Sequence, residues 1–425
     1  MEGYRNRIAD DILQKKLESK GAVLIEGPKS CGKTTTAEMK ASSIIYINDP
    51  KHFEQNIILS EIDPEALLAG DSPRLIDEWQ LAPKLWDAVR FSVDHRRKFG
   101  LYILTGSSVP ADTDQIHHTG TGRFSWMKMR PMSLFESGES TGDVSLADLF
   151  SNPQCTVRGN SSLSLDDVAF LICRGGWPLA LDVQRDVALR QALDYVDAII
   201  EEDISKVDGI KKNSSLVRRL MKSLARNQGS QVTIETLVDD IGVNELMESS
   251  RNTLSSYIAA LKKIFVIEDM EAWNPNLRSK TAIRTSDTRY FIDPSIATAS
   301  LRLGPGDLIS NLETMGFLFE TLAVRDLRVY AEAFDADVYH YRDKTGLECD
   351  AVIHCRNGKY GLVEIKLGGM GNIEKGAGSL KKLASCIDSE KMNAPSFLMV
   401  LTAVGNMAYR RPDGVIVVPV GALKN

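Results

Sequence analysis

Several features that the sequence lacks narrow the class of protein. Its six cysteines form no C-x-x-C pair and have no regular spacing, which argues against zinc or a disulfide framework and for reduced thiols. No run approaches the roughly eighteen apolar residues of a membrane span, and the N-terminus has no apolar signal-peptide core. The net charge of -6 gives no global basic field for nucleic acid. We therefore expect a cytoplasmic protein without membrane partners, in which any nucleic-acid surface is local.

A phosphate-binding motif lies near the N-terminus. Residues 27–34 read Gly-Pro-Lys-Ser-Cys-Gly-Lys-Thr, the pattern G-x-x-x-x-G-K-T, between the apolar run 22–25 and a segment that can begin a helix. Such a loop turns consecutive N–H groups towards a polyphosphate. Lys33 is expected to reach the β- and γ-phosphates, and the Thr34 hydroxyl to bind Mg²⁺. A small buried thiol is the favoured interpretation of Cys31. The predicted nucleotide-binding residues of this loop are Gly27, Pro28, Lys29, Ser30, Cys31, Gly32, Lys33, Thr34 and Thr35.

Acidic residues that could complete this site follow about forty residues later, in Leu-Ile-Asp-Glu at 75–78. Asp77 would act on Mg²⁺, directly or through water, and Glu78 would activate the attacking water. The next apolar segment ends in Thr105 and Ser107, which are candidates to contact the γ-phosphate or the water, with a plain turn as the alternative.

The order of apolar segments predicts the fold class. Strand-like runs at 22–26, 44–48, 74–77 and 101–105 alternate with helical stretches such as 83–97, which is the pattern of an α/β protein with a parallel sheet and crossovers. Residues 137–165 are poor in large apolar side chains, which predicts a surface excursion or linker. The predicted domains are an ATPase core at 1–136, a linker and helical lid at 137–212, a winged helix at 213–302 and an α/β domain at 303–425.

These motifs together resemble a family of bacterial and archaeal AAA+ ATPases that carry a C-terminal domain of poorly defined function. The matching segments are the phosphate-binding loop, Leu-Ile-Asp-Glu-Trp-Gln at 75–80, Leu-Thr-Gly-Ser-Ser at 104–108, Thr-Gly-Arg at 121–123 and the residues 130–136. The resemblance implies ATP and Mg²⁺ as ligands and leaves the oligomeric state open.

The resemblance also implies an arginine that acts on the γ-phosphate. Arg123 is the first candidate for a catalytic role, in cis or across a subunit boundary, and Arg130 is the second. The Gly-Gly-Trp-Pro element at 175–178 looks like the element with which related ATPase lids cover the base. Pro178 or Trp177 is therefore expected to stack on adenine, with a turn between helices as the alternative.

Residues 213–302 predict a winged helix. Helices are indicated at 214–226, 233–241 and 250–263, followed by two strand-like runs. The third helix carries Arg and Lys but no acidic residue, and the candidate wing adds Arg278, Lys280 and Arg284. Segment 214–290 nevertheless holds eleven Lys and Arg against nine Asp and Glu, which is a weak charge signal for DNA. DNA or RNA contact and contact with a partner protein both stay open.

The C-terminal segment brings together a second set of candidate catalytic residues. Asp350 begins an apolar run, and Glu364 and Lys366 lie fourteen and sixteen residues later on one face of another predicted strand. Asp350 and Glu364 could hold Mg²⁺, while Lys366 could position or deprotonate water for phosphodiester attack. With the helical Glu320, the pattern resembles the PD-(D/E)-x-K nuclease superfamily, which implies a restriction-endonuclease-like α/β domain; a solvated salt-bridge cluster is the alternative.

Two functions are consistent with the sequence. The first is Mg²⁺-dependent ATP binding and hydrolysis coupled to nucleic-acid binding or processing. The second is an ATP-gated switch that acts on a partner protein and carries a catalytically silent nuclease-like domain.

Overall fold

The computed structural model describes residues 3–108, 119–207, 209–242, 247–275, 286–387 and 392–425, with the backbone alone for 247–250. The chain divides into two compact units, which are described separately. The first unit comprises Met1–Pro131, Ala198–Ser214 and Ser256–Val266, and the second comprises Met132–Asp197, Ser215–Ser255 and Ile267–Asn425. The candidate wing residues Arg278, Lys280 and Arg284 lie outside the described residues.

The first unit contains a five-stranded parallel sheet. The strands run in the order β2-β3-β4-β1-β5, and every pair is parallel, which confirms the parallel sheet expected from the sequence. Its elements in chain order are α1 (Ile8–Ser19), β1 (Ala22–Glu26), α2 (Lys33–Glu38), β2 (Ser43–Tyr46), α3 (Phe53–Ile62), α4 (Pro64–Leu68), β3 (Arg74–Asp77), α5 (Leu85–Arg96), β4 (Tyr102–Gly106) and β5 (Phe124–Lys128).

Apolar packing on this sheet fixes the ends of its strands. Leu24 of β1, Ile76 of β3 and Leu104 of β4 are buried in one cluster with Trp86 and Phe124. The rings of these two aromatic residues stack with centroids 3.9 Å apart. Because all five strands are parallel, their C-terminal ends lie at one edge of the sheet, which is where ligands of open α/β sheets bind.

The next part of the chain is helical, with two short strands. Its elements are α6 (Leu134–Ser137), β6 (Val144–Ser145), α7 (Leu146–Ser151), β7 (Gly159–Asn160), α8 (Leu165–Arg174), α9 (Arg185–Ala198) and α10 (Ile204–Lys206), with a π-helical turn at Ile199–Asp203.

The linker predicted at 137–165 is wrong. Val144 pairs with Leu423, and Gly159 pairs with Ala408, so both short strands join C-terminal strands of the second unit. The polar residues that indicated a surface excursion instead make backbone contacts, since the Ser140 hydroxyl donates to the Leu423 carbonyl over 2.7 Å.

Three helices and a two-stranded ribbon follow. They are α11 (Ser214–Arg226), α12 (Ile234–Ile241), α13 (Met247–Lys263), β8 (Ile267–Met270) and β9 (Thr288–Phe291), and the two strands are antiparallel. This order agrees with the order expected from the sequence, and its assignment as a winged helix stays a prediction.

The C-terminal part of the second unit forms a seven-stranded mixed sheet of order β10-β11-β12-β13-β15-β14-β7. Strand β11 is antiparallel to both β10 and β12, whereas β13 is parallel to both β12 and β15. The elements are α14 (Pro294–Leu301), α15 (Pro305–Ser310), α16 (Leu312–Glu332), β10 (Ala336–Arg342), β11 (Glu348–Cys355), β12 (Tyr360–Lys366), α17 (Met370–Cys386), β13 (Phe397–Thr402), β14 (Met407–Arg410), β15 (Ile416–Pro419) and β16 (Leu423–Lys424).

Helix α17 packs its apolar side on this sheet, where Ile373, Ala377 and Leu380 join a buried cluster with Val352 of β11 and Leu362 of β12. Within the described ranges, no helix is both long enough and apolar enough to span a membrane.

Candidate functional site

The phosphate-binding loop connects β1 to α2 at the C-terminal edge of the first sheet. A Cβ atom on Gly27 would lie 2.1 Å from the Met129 carbonyl oxygen, so only glycine fits there. Gly32 has a φ of 98° immediately before α2, a left-handed conformation that favours glycine. The Lys33 ammonium reaches across the loop and donates to the Pro28 carbonyl over 2.7 Å. The loop therefore has the tight curvature and the inward-facing cation that phosphate binding requires.

Asp77 joins the loop to the neighbouring strands. Its Oδ1 accepts hydrogen bonds from the Thr34 hydroxyl at 2.7 Å and from the Thr105 hydroxyl at 2.6 Å. Asp77 and Thr105 are register partners at the ends of β3 and β4, which explains why side chains so distant in sequence meet. A hydroxyl and a carboxylate in contact are oxygen donors of the kind that Mg²⁺ takes beside phosphate oxygens, so the residues present fit the ion.

Glu78 follows directly, with a left-handed φ of 55° that turns the chain after β3. Its carboxylate accepts a hydrogen bond from the Gln80 amide and a longer one of 3.4 Å from the Ser107 hydroxyl. The two predicted polar positions at the end of β4 therefore both contact acidic residues of the site, Thr105 through Asp77 and Ser107 through Glu78. The side chain is partly exposed, as a base that orients water must be.

Arg123 does not lie beside the loop in this chain, and its assignment in cis is wrong. Its carbonyl accepts from the Ala22 amide at the start of β1, which is the edge of the sheet opposite the phosphate-binding loop. Its guanidinium donates to Asp94 over 2.7 Å and lowers the pKa of that carboxyl. The second candidate, Arg130, follows the C-terminal end of β5 and is on the loop's edge of the sheet. Action of Arg123 across a subunit boundary stays a prediction.

Sequence reasoning missed Arg7, which donates a hydrogen bond to a backbone carbonyl of the phosphate-binding loop. Arg7 is 6% exposed, and its guanidinium donates to the carbonyls of Cys31 and Arg130, each over 2.9 Å. An arginine just before an amphipathic helix has the appearance of a solvated charge, so the sequence carries no signal for this role. Cys31 is fully buried, which confirms its interpretation as a small buried thiol.

Lys29 of the loop also has an unforeseen partner. Its ammonium lies 2.5 Å from the carboxylate of Asp203, which ends the π-helical turn. Single π-helical turns are rare and occur frequently at functional sites.

The Gly-Gly-Trp-Pro element lies in the second unit and is only partly as expected. The Trp177 side chain is buried, with its Nε1 donating to Ser295 over 2.9 Å and its ring 4.4 Å from that of Tyr195. Stacking of Trp177 on adenine is therefore wrong, because its ring faces are taken up within the unit. Pro178 begins a short 3-10 turn and is partly exposed, and its contact with the base stays a prediction.

The second unit brings together the three residues of the C-terminal pattern. Strands β11 and β12 pair Ala351 with Val363, which sets Asp350 beside Glu364. The Lys366 ammonium lies 3.0 Å from Asp350 and 2.7 Å from Glu364. The alternation of side chains along β12 and the adjacency of β11 and β12 were both predictable from the sequence. Together they bring Asp350, Glu364 and Lys366 into contact.

Burial and mutual charge shift the titration of this group. Burial, reinforced by the charge of Asp350, raises the pKa of Glu320 to about 8 and that of Glu364 to about 7. Burial lowers the pKa of Lys366, but Asp350 and Glu364 outweigh it and hold the pKa above its usual value. Lys366 thus stays a cation at neutral pH, which favours positioning over deprotonating water. Glu320 accepts a hydrogen bond of 2.6 Å from the Tyr290 hydroxyl of β9.

The Mg²⁺ role of Asp350 and Glu364 stays a prediction. Among the described residues, no three His, Cys, Asp or Glu side chains are placed to hold a metal ion. The Lys366 ammonium bridges the two carboxylates and offsets part of their charge.

A cavity of about 720 Å³ opens over this group. Its lining contains the acidic residues and Lys366, three further basic side chains from β10 and α17, and the aromatic ring of Phe317. The turn after α11 contributes Gly229 and Gln231, and β9 contributes Thr288 and Tyr290. The predicted winged-helix segment and the α/β segment therefore share one cavity.

Three segments of the chain match family models. Residues 19–137 match an AAA domain, which together with the loop geometry supports a P-loop ATPase. Residues 165–307 and 315–423 match two domains of unknown function, DUF8612 and DUF4143. The ATPase class is therefore supported for the first of these regions, and the other two matches assign no activity.

Individual relatives are distant. Uncharacterized proteins Rv2008c of Mycobacterium tuberculosis and Mb2031c of Mycobacterium bovis are each 22% identical over 83% of this chain and 72% of their own length. Among solved structures, a Walker-type ATPase of Pyrococcus abyssi is 15% identical, with 69% of this chain and 94% of that chain covered and a TM-score of 0.42. Thermotoga maritima RuvB is 18% identical, with 61% and 85% covered and a TM-score of 0.27.

Proposed function

We propose that the first unit binds ATP with Mg²⁺ and hydrolyses it. The observation that carries this proposal is the contact of Thr34 and Thr105 with one oxygen of Asp77 beside the phosphate-binding loop. It joins the loop, the acidic strand end and the neighbouring strand at one point, as triphosphate hydrolysis requires.

Phosphate binding, ion binding and activation of water are assigned to different residues of this site. Backbone N–H groups of the loop and the Lys33 ammonium bind and neutralise the phosphates, while Thr34 and Asp77 would hold the ion. Mg²⁺ supplies charge neutralisation at the phosphate oxygens. Glu78, held by Gln80 and Ser107, orients a water molecule and accepts its proton.

Two substitutions test this function. Lys33→Ala should abolish nucleotide binding, and Glu78→Gln should keep binding but slow turnover by about 10²-fold or more. Lys51→Ala and Glu54→Gln, at exposed positions of the same unit, serve as matched controls. Turnover in Glu78→Gln equal to that of wild type would remove Glu78 as the base, and unchanged binding in Lys33→Ala would overturn the site.

We further propose that hydrolysis is coupled to nucleic-acid binding by the second unit. The order α16-β10-β11-β12-α17-β13, with Asp350, Glu364 and Lys366 on β11 and β12, supports a nuclease-like domain as the resemblance implies. The bridging position of Lys366 favours a domain that binds without cutting. A gel-shift and cleavage assay on labelled DNA and RNA, with and without ATP, tests both points.

Binding without cleavage is the expected outcome of that assay. Cleavage that Asp350→Ala stops would show an active nuclease instead. An absence of binding to any nucleic acid would favour the alternative function, an ATP-gated switch that acts on a partner protein.

A further inference from the structure

We propose that the cavity of the second unit binds single-stranded nucleic acid, with phosphates along one face of α17 and an unpaired base directed at the carboxylates. The inference rests on the proposed nucleic-acid function and names its substrate: an unpaired strand with bases that carry an exocyclic amino group.

The phosphate side of the cavity is one helix face. Lys375, Gly378, Ser379 and Lys382 all line the cavity, and their spacing of three, four and seven residues places them on one side of α17. The two lysines are exposed and stand about 10.5 Å apart along the axis, from a rise of 1.5 Å per residue. The small residues between them leave room for a phosphodiester to approach the helix.

An adjacent side of the same helix carries charged residues that are paired within the protein. Lys381 forms an ion pair with Asp413 at 2.8 Å, and Glu374 forms one with Arg411 at 2.7 Å. Lys381 is thus a lysine of the same helix that holds a protein carboxylate, and it offers a control for the two cavity lysines.

The charge pattern gives a polyanion one orientation. The exposed part of the lining holds the cations Arg342 of β10 and the α17 lysines, with Glu348 exposed beside Arg342, whereas Asp350 and Glu320 are partly buried and Glu364 is buried. A phosphate is attracted by the exposed cations, and the less exposed carboxylates attract no phosphate, so the backbone of a strand lies outside and its bases point inward.

The volume and the aromatic ring select an unpaired strand. About 720 Å³ is the size of a small-molecule pocket, which admits a few unpaired nucleotides and no duplex. Phe317 lines the cavity one helical turn before Glu320 and is 50% exposed. A half-exposed ring in a cavity that also carries exposed cations is a stacking platform for a base.

The carboxylates favour particular bases. Carboxylate oxygens accept hydrogen bonds from exocyclic amino groups, such as N4 of cytosine, and thymine has no such group. Cytosine and thymine are both pyrimidines of similar size, so they stack alike on an equally charged backbone. A comparison of the two therefore isolates the hydrogen bond between the amino group and the carboxylates.

Fluorescence anisotropy with labelled dC12, dT12 and a twelve-base-pair duplex tests the inference on the full-length protein at two salt concentrations. We expect dC12 to bind at least about fivefold more tightly than dT12 or the duplex. Lys375→Ala combined with Lys382→Ala should weaken dC12 binding and reduce the slope against log salt by about 1.4, as expected for two lost phosphate contacts, whereas Lys381→Ala should leave the slope unchanged.

Phe317→Ala should weaken dC12 binding about fivefold or more, while Leu312→Ala, equally exposed on α16 and outside the cavity lining, should not. Equal binding of dC12 and dT12, or equal effects of the matched variants, would overturn the inference. Duplex binding that none of these variants changes would overturn it and leave the proposed nucleic-acid function standing. No binding to any of the three probes would overturn the inference, and no binding to the labelled RNA of the gel-shift assay as well would overturn both.

Discussion

The Thr34 hydroxyl donates a hydrogen bond of 2.7 Å to Asp77, which lies 43 residues further along the chain. Thr34→Ala removes the hydroxyl that we expect on Mg²⁺, so half-maximal ATP turnover should need at least about tenfold more Mg²⁺. Thr34→Ser keeps the oxygen and should behave like wild type. A magnesium titration of turnover measures the effect, and equal requirements in the two variants would contradict the assignment.

Arg7 connects the start of the first unit to the loop through Cys31 and Arg130. Arg7→Ala would leave the buried Cys31 carbonyl without this donor, at a cost of about 1–3 kcal/mol, and would remove a donor from the partly buried Arg130 carbonyl. We expect a lower melting temperature and weaker nucleotide binding, because the loop loses its support.

Arg7→Lys is the matched control for this prediction. It keeps the charge but cannot span both carbonyls, so it should fall between wild type and Arg7→Ala. If nucleotide affinity is the same in all three proteins, Arg7 supports the fold without preorganising the loop.

Sequence patterns predicted the strands of the nucleotide site well and its distant partners poorly. The apolar run of β1 is bounded by Gly21 and Gly27, so its limits are local. The position of Arg123 depends on β5 pairing in parallel with β1, which no local pattern contains. Arg7 was missed for the same reason, since its partners are backbone carbonyls that carry no residue identity.

In the second unit, the contacts that follow from strand alternation were predictable from the sequence, whereas the pairings between segments far apart in the sequence were not. The contact of Lys366 with Glu364 follows from strand alternation, and its contact with Asp350 follows from the adjacency of β11 and β12. The strands at Val144 and Gly159 could not be foreseen, because two-residue strands pair with partners more than two hundred residues away. The hydrogen bond from Tyr290 to Glu320 joins two regions that appeared separate in the sequence.

Glu320 should make the stability of the protein depend on pH. Its pKa is raised to about 8, first by burial and then by the charge of Asp350, whereas an unfolded glutamate titrates near 4.3. Between these values the folded state binds more protons, so stability is highest at low pH and falls as pH rises, by at most about 1.4 kcal/mol per pH unit for one proton. Chemical denaturation between pH 5 and 8, with a chelator present, measures this slope.

Glu320→Gln should flatten that slope, since the glutamine cannot ionise and can still accept the hydrogen bond from Tyr290. Glu313→Gln, at an exposed position of the same helix, should keep the wild-type slope. A Glu320→Gln slope equal to that of wild type would assign the pH dependence to other groups.

Arg325 holds a buried charge cluster together in the second unit. Its guanidinium lies 2.8 Å from Asp293 and 2.7 Å from Asp326, and all three side chains are almost fully buried. The two carboxylates also accept backbone hydrogen bonds of 3.0 Å, from Gly176 and Leu134. Sequence-distant segments of the unit therefore meet at this one cation.

Arg325→Met would leave two carboxylates buried without their cation, which costs about 3–5 kcal/mol when one partner of a buried pair is removed. Burial raises the pKa of the Asp326 carboxyl even with the Arg325 guanidinium beside it, and loss of that cation would raise it further, so the variant should regain more stability than wild type as pH falls from 8 to 5. Arg328→Met, which lies on the same helix and loses an ion pair of 3.1 Å with Glu268, should lose less and gain less on acidification. Chemical denaturation of both variants at pH 8 and pH 5 measures these free energies of unfolding. If Arg325→Met were no less stable than Arg328→Met, or did not regain stability at pH 5, the stability of the cluster would not depend on its central cation.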